Sequence, residues 1–216
     1  TKMNTTRTES ESLFIKDERQ GRYFFFFLLV FLVSLAFRLT GLGGLSLTDF
    51  EADFALQALA IAKGDTPIFG EQAAYVGLTG ITLFLFSASN FLARFWVAIF
   101  SSLIAYTPYL FRKQIGTWEA LIAAAALAIS PEMVGLSRIV GSPMMAAVFL
   151  LLAMGLWLNR KPVLAGISLA MGLMGGIGFW IGLVILGLSV LISSRLFSSN
   201  LTLSKVYSFE IKPFWF

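Results

Sequence analysis

Along the chain, a polar and charged opening through Arg22 gives way to Tyr23-Phe-Phe-Phe-Phe27 and an apolar run that ends at Leu39. That run of about 17 residues just reaches membrane-spanning length. Arg38, at its far end, is expected to snorkel to the interface. The stretch 40–72 breaks the pattern, because Asp49, Glu51, Asp53, Asp65 and Glu71 stand there against Lys63 alone. Within it, Leu47 to Lys63 is acidic and amphipathic. Thr48 and Glu51 have the spacing of a capping box, Gly64 offers a stop and Pro67 follows, which predicts a helix of about four turns. On a helical period Phe50, Phe54, Ala58 and Ile61 share one side and Asp49, Asp53 and Gln57 another, so the helix is predicted to lie on a membrane surface or over a cavity. Apolar blocks then recur at 73–89, 91–111, 117–130, 143–158, 163–178 and 179–197.

This pattern predicts an all-α fold, a polytopic transmembrane helix bundle of about six or seven membrane segments with an amphipathic interfacial helix in its first external loop. Its parts are a cytoplasmic polar tail (1–22), a first transmembrane helix (23–39), the external loop (40–72), the helix bundle (73–197) and an aromatic C-terminal tail (198–216). Composition agrees: 57% of residues are hydrophobic, 13% are charged, 22 are Phe and the mean hydropathy is +0.82. A soluble domain carries roughly 25% charged residues.

Lys2, Arg7, Lys16, Arg19 and Arg22 place the N-terminus in the cytoplasm and the acidic loop outside. No small-residue cleavage site follows the first apolar run, so it reads as an uncleaved anchor in the plasma membrane, the inner membrane of a bacterium. Arg112-Lys113 and Arg160-Lys161 both favour the cytoplasm, yet two crossings between Ala73 and Phe111 would put the first pair outside, which leaves the number of crossings open. Gly172 with Gly176, and Gly178 with Gly182, form consecutive G-x-x-x-G spacings expected to bring apolar helices into close contact.

Cysteine and histidine are absent, which excludes disulfides, the usual zinc sites and haem ligation by histidine. Any metal would be a hard cation on oxygen ligands. The net charge of +4 is spread over membrane flanks, so the expected partners are membrane lipids and other membrane subunits, not nucleic acid.

Two groups of residues carry candidate chemistry. Asp49, Glu51 and Asp53 cluster at a membrane face, where carboxylates can hold a divalent cation or act as a general base. Against this, Glu51 also serves as a cap partner, acids in a first turn favour the helix dipole, and Asp49 and Glu51 point about 160° apart on a regular helix. Glu132 and Arg138 lie in Ser130-Pro-Glu-Met-Val-Gly-Leu-Ser-Arg138, between two apolar blocks. An arginine at membrane depth can clamp a phosphate, and the alternative is an interfacial pair at a Pro-broken helix end. Arg94 is expected to sit in a tight turn and snorkel, and Glu119 is a weaker candidate still.

The order of these pieces resembles the GT-C superfamily of polytopic glycosyltransferases, which includes protein O-mannosyltransferases and aminoarabinose transferases. The resemblance rests on Arg38, the acidic loop motif Glu51-Ala52 with Ala55-Leu-Gln-Ala58, Ser89-Asn-Phe-Leu-Ala-Arg94-Phe, Arg112-Lys-Gln-Ile-Gly116, the alanine-rich stretch closing in Ser130-Pro131, and Ser137-Arg138. It implies transfer of a sugar from a polyprenyl-phosphate carrier to an acceptor at the outer face. Glu51 and Asp49 would then be the catalytic acids, Arg138 would bind the lipid phosphate, and a divalent cation, Mg or Mn, would be the cofactor. Two departures stand out. Phe50 precedes Glu51 where the family has an adjacent Asp-Glu, and Pro143-Met144 stands where many relatives carry Pro-Asp. Family members are also about twice as long, so the chain is expected to be the N-terminal half of such an enzyme or a shortened, non-catalytic relative that packs as an accessory subunit. A transporter is disfavoured, since no apolar block carries the charge series of an ion path.

Overall fold

A computed structural model describes residues 2–65 and 72–197 of the chain. The described residues form helices and connecting turns with no strand: α1 (Lys2–Leu39), α2 (Asp49–Lys63), α3 (Ala73–Phe86), α4 (Asn90–Ser102), α5 (Thr107–Ile115), α6 (Thr117–Ile129), α7 (Pro131–Leu136), α8 (Met144–Leu158), α9 (Pro162–Leu173) and α10 (Ile177–Phe197). A 3₁₀ turn, Leu103–Tyr106, joins α4 to α5. Two stretches, Gly21–Leu39 and Asn90–Ile115, are long and apolar enough to cross a membrane. The other apolar helices among the described residues are shorter, Pro162–Leu173 spanning only 12 residues, against the roughly 20 that a full crossing takes.

The breaks follow local chemistry. Ser89 caps α4 by accepting a hydrogen bond from the Leu92 N–H at 3.2 Å, the usual service of a serine at a helix start. Pro131 and Pro162 open α7 and α9, where a missing N–H costs nothing. The last apolar block divides at Met174–Gly176, not between Gly178 and Phe179 as the apolar runs alone indicate. Gly176 therefore lies in a turn. Its three G-x-x-x-G companions do mark close contacts: Gly172 faces the Phe179 ring, and Gly178 and Gly182 face Pro143 and Leu150.

Small residues set the packing of α1 on α6. Ala120, Ala124 and Ala128 recur every fourth position and are buried, the first two around Phe27 of α1. Arg38, near the end of α1, is fully buried and does not snorkel. It donates to the Leu127 and Ala128 carbonyls at 3.3 and 3.4 Å. These carbonyls close α6 without intrahelical partners, so a guanidinium there answers both hydrogen-bonding need and dipole. A second core joins Phe54 of α2 to Tyr75 and Val76 of α3, Val97 of α4 and Val140. The Tyr75 hydroxyl donates to the Ala93 carbonyl at 2.7 Å, tying α3 to α4 beneath the loop helix. By contrast α10 turns Val184, Ile185, Leu188 and Leu191 outward.

Candidate functional site

The site is built around the start of α2. Thr48 caps the helix in extended conformation. Its hydroxyl accepts the Glu51 N–H at 3.4 Å, the Glu51 carboxylate accepts the Thr48 N–H at 3.0 Å, and Gly64 closes the helix at φ 82°. The predicted capping box and stop are both present. Pro67 lies outside the described residues. The buried face is Glu51, Phe54, Ala55 and Ala58, while Asp49, Asp53 and Phe50 are exposed, Phe50 at 57%. Phe54 and Ala58 of the predicted apolar side are buried and Asp49 and Asp53 of the polar side exposed, while Phe50 departs by lying outside and Glu51 lies inside.

Glu51 is 1% exposed and Arg94 7%. The two meet in a bidentate pair, with Arg94 Nη2 donating to Glu51 Oε2 at 2.7 Å and Nε to Oε1 at 2.9 Å. Oε1 also accepts the Val140 N–H at 3.1 Å, and Oε2 accepts the Thr48 N–H and hydroxyl at 3.0 and 3.1 Å. A carboxylate has about four lone-pair positions, so five donors leave none for a substrate proton. The remaining Arg94 donors reach the Leu42, Leu45 and Ser46 carbonyls at 3.3, 2.9 and 3.1 Å. Segment 42–46 is thereby folded over the guanidinium. Arg94 does not snorkel: it is the buried counter-ion that joins α4, the loop and α2.

The third wall of the site is the turn between α7 and α8. Gly141, at φ 85°, lies beneath the Phe50 and Phe54 rings, and a Cβ there would stand 2.8 Å from Phe54 Cε2. The two rings meet edge to face at 5.3 Å, a favoured aromatic geometry. Only a residue without a side chain admits this approach and this backbone together. Three residues before Gly141, Arg138 Nη2 donates to the Phe37 and Thr40 carbonyls, the latter at 2.8 Å. Arg138 engages the end of α1 and not Glu132, which is exposed. The turn is therefore stapled to α1 by Arg138 and to α2 by Val140 and Gly141.

Burial by itself would push the Glu51 carboxyl up. The Arg94 hydrogen bonds, the Thr48 and Val140 N–H groups and the Arg94 charge outweigh it and hold the group at about 2, against an ordinary 4.5. A depressed carboxylate contributes stability that is fully present above its unfolded value and is lost as pH falls through the folded one. The difference in unfolding free energy between the native chain and E51Q should therefore stay constant above about pH 5 and shrink as pH falls toward about 2. Chemical unfolding in mild detergent across that range reads this directly, and a gap that does not change with pH would contradict it.

Asp49 and Glu51 do not share a site. α2 begins at Asp49, so Asp49 is inside the helix and the two carboxyls diverge. Nor do they fit a common Mg or Mn ion, since the Glu51 oxygens are taken and a guanidinium lies against them. Among the described residues no group of three carboxylates comes together in a way that could hold a metal ion. Beside the ion pair runs an apolar groove of 270 Å³, lined by Ala52, Ala55, Leu56, Leu83 and Ala93, with Ser89 and Asn90 at one side.

The Glu51–Arg94 pairing departs from the snorkelling expected of Arg94, yet the sequence holds a signal for it. Glu51, Phe54, Ala55 and Ala58 are spaced i, i+3, i+4, i+7, as are Arg94, Val97, Ala98 and Ser101, and all eight are buried. Each stripe has one charge in a place where an apolar residue belongs, and the charges are opposite. Two such stripes predict each other's partner. No protein-family model, curated protein or solved structure matches the chain.

Proposed function

We propose that the chain is a polytopic helix bundle of GT-C-like design in the plasma membrane, N-terminus cytoplasmic and α2 at the outer face, acting as a non-catalytic accessory subunit of a larger membrane complex. The observation that carries this reading is the state of Glu51, whose oxygens are saturated by Arg94, Thr48 and Val140. A general base must be free to take a proton from its acceptor, and this carboxylate holds the loop down instead. Phe50, in the position of the family's adjacent acid, supplies no substitute. The outward apolar faces of α1 and α10 support burial in lipid or against membrane subunits.

Extraction from native membranes in mild detergent, followed by mass determination of the intact particle, tests the proposal. A stable particle of fixed stoichiometry with other membrane subunits is expected. A lone monomer that transfers sugar from a polyprenyl-phosphate-sugar donor would overturn it. The second reading, a working membrane glycosyltransferase, is favoured by one observation: Asp49 is exposed on the first turn of α2, on the same end of the fold as Arg138. On that reading D49N abolishes transfer while E51Q lowers stability first; on the accessory reading neither variant changes a transfer rate that is at background.

A further inference from the structure

The turn between α9 and α10 meets the start of α3, and a pocket of 380 Å³ opens between them. Gln72, Ala73, Met174, Gly176, Ile177 and Trp180 line it. Gln72, the residue before α3, holds φ 65° and ψ 43°, a left-handed conformation that residues with a Cβ seldom adopt. Its side chain lies against Gly176. A Cβ on that glycine, itself at φ 100°, would stand 3.0 Å from Gln72 Cγ and 3.9 Å from Nε2. Gln72 is 8% exposed, yet among the described residues its amide makes no hydrogen bond. Buried amides ordinarily find partners, whereas this one faces the pocket.

Two helices begin at the same place. α3, of 14 residues, and α10, of 21, start at the pocket wall, and the first N–H groups of a helix have no intrahelical acceptor. Those of Ala73, Ile177 and Gly178 make no backbone hydrogen bond among the described residues. The opposite pole, at the end of α9, is largely answered, because the Gly172 and Met174 carbonyls accept the Gly175 and Ala74 N–H groups at 2.9 and 3.2 Å. Each helix start offers about half a positive charge, so the pocket favours one negative charge. A phosphate dianion fits it less well, since no Lys or Arg is among the described lining residues.

We propose that this pocket binds an aliphatic monocarboxylate. The carboxylate meets the Gln72 amide and the two helix starts, and the chain lies along Met174, Ile177 and the Trp180 ring. Few polar groups in an otherwise apolar hollow are the usual make-up of a small-molecule site. Strain at Gln72 is then the cost of aiming its amide inward. The site uses no residue of the Glu51 lock and stands or falls apart from both functional readings above.

The test uses the full chain, delipidated in zwitterionic detergent and followed by tryptophan fluorescence and thermal unfolding. Octanoate, octanol and octylammonium are titrated separately at one ionic strength. Octanoate is expected to change the fluorescence saturably and to raise the midpoint by about 2–4 °C. Octanol and octylammonium, which share the chain but lack the negative charge, should bind at least roughly tenfold more weakly. W180F should remove most of the fluorescence change and keep the rise in midpoint. Q72G should weaken octanoate roughly tenfold, yet raise the midpoint of the ligand-free chain by about 1–3 °C, because glycine holds a positive φ freely. A purely structural glutamine would give a lower midpoint instead. Q72N also accepts the left-handed conformation but reaches less far, so a similar loss of binding is expected, which covers failure of Q72G to fold. No response to octanoate, an equal response to octanol, or native affinity in Q72G or Q72N would overturn the proposal.

Discussion

Replacing Arg94 by methionine is expected to lower the stability of the chain by roughly 3–5 kcal/mol, the usual cost of stranding one member of a buried ion pair. Glu51 would keep the Thr48 and Val140 donors but lose both guanidinium bonds. The Leu42, Leu45 and Ser46 carbonyls would lose their donor at the same time. E51Q should cost less, about 1–3 kcal/mol, because a neutral amide is stranded more cheaply than a carboxylate. Replacing both residues, E51L with R94M, should return part of the R94M loss, since an apolar pair needs no counter-ion. Denaturant titration in mild detergent, read by tryptophan fluorescence, measures all three. A loss below about 1 kcal/mol for R94M would reduce the pair to the worth of a surface salt bridge.

The second large effect is expected at Gly141. Alanine there must hold φ near 85°, which costs roughly 1–2 kcal/mol. It must also place a Cβ 2.8 Å from Phe54 Cε2, under the Phe50 ring. Overpacking of that kind adds about 1–3 kcal/mol, for a combined loss of roughly 2–5 kcal/mol. G141A with F50L should recover the part due to the Phe50 ring and leave the Phe54 contact and the backbone part. Full recovery by F50L would show that neither the backbone conformation nor the Phe54 contact carries strain. Hydrogen exchange at the Val140 amide, which donates to Glu51, should quicken in G141A because the turn is then lifted from α2.

Much of α2 is legible in the amino-acid sequence because its signals are local. The Thr48 and Glu51 spacing and the glycine after Lys63 act within one turn of the helix, and both ends are where they place them. The face of the helix is not legible in the same way. The pattern rightly sets Phe54 and Ala58 against Asp49 and Asp53, but it misplaces Phe50 and is silent on Glu51, which is buried because Arg94, 43 positions away, neutralises it. Only a match between two distant helical stripes reveals that. Arg38 repeats the lesson: its place in the last turn of α1 fits that helix's own dipole, yet it serves the end of α6, some 90 positions on. Helix breaks inside long apolar runs are equally hidden, as at Met174–Gly176, because the residues on both sides are apolar whether or not the chain turns.

The resemblance to membrane glycosyltransferases and the geometry around Glu51 bear on different things. The resemblance follows an order of motifs, whereas the geometry states what one carboxylate is bonded to. Glu51 and Arg94 lie 43 positions apart, and their pairing joins the loop helix α2 to α4. A loop helix must be fastened to the helices it packs on before it can present anything on its exposed side.

The coupling energy between Glu51 and Arg94 tests this account most directly, measured as a double-mutant cycle of native chain, E51Q, R94Q and E51Q/R94Q by denaturant titration at pH 7. A structural lock predicts a coupling of about 2–3 kcal/mol at pH 7 that fades as pH falls toward 2. Additive losses, within about 0.5 kcal/mol at pH 7, would mean that the two residues act independently and would contradict the account.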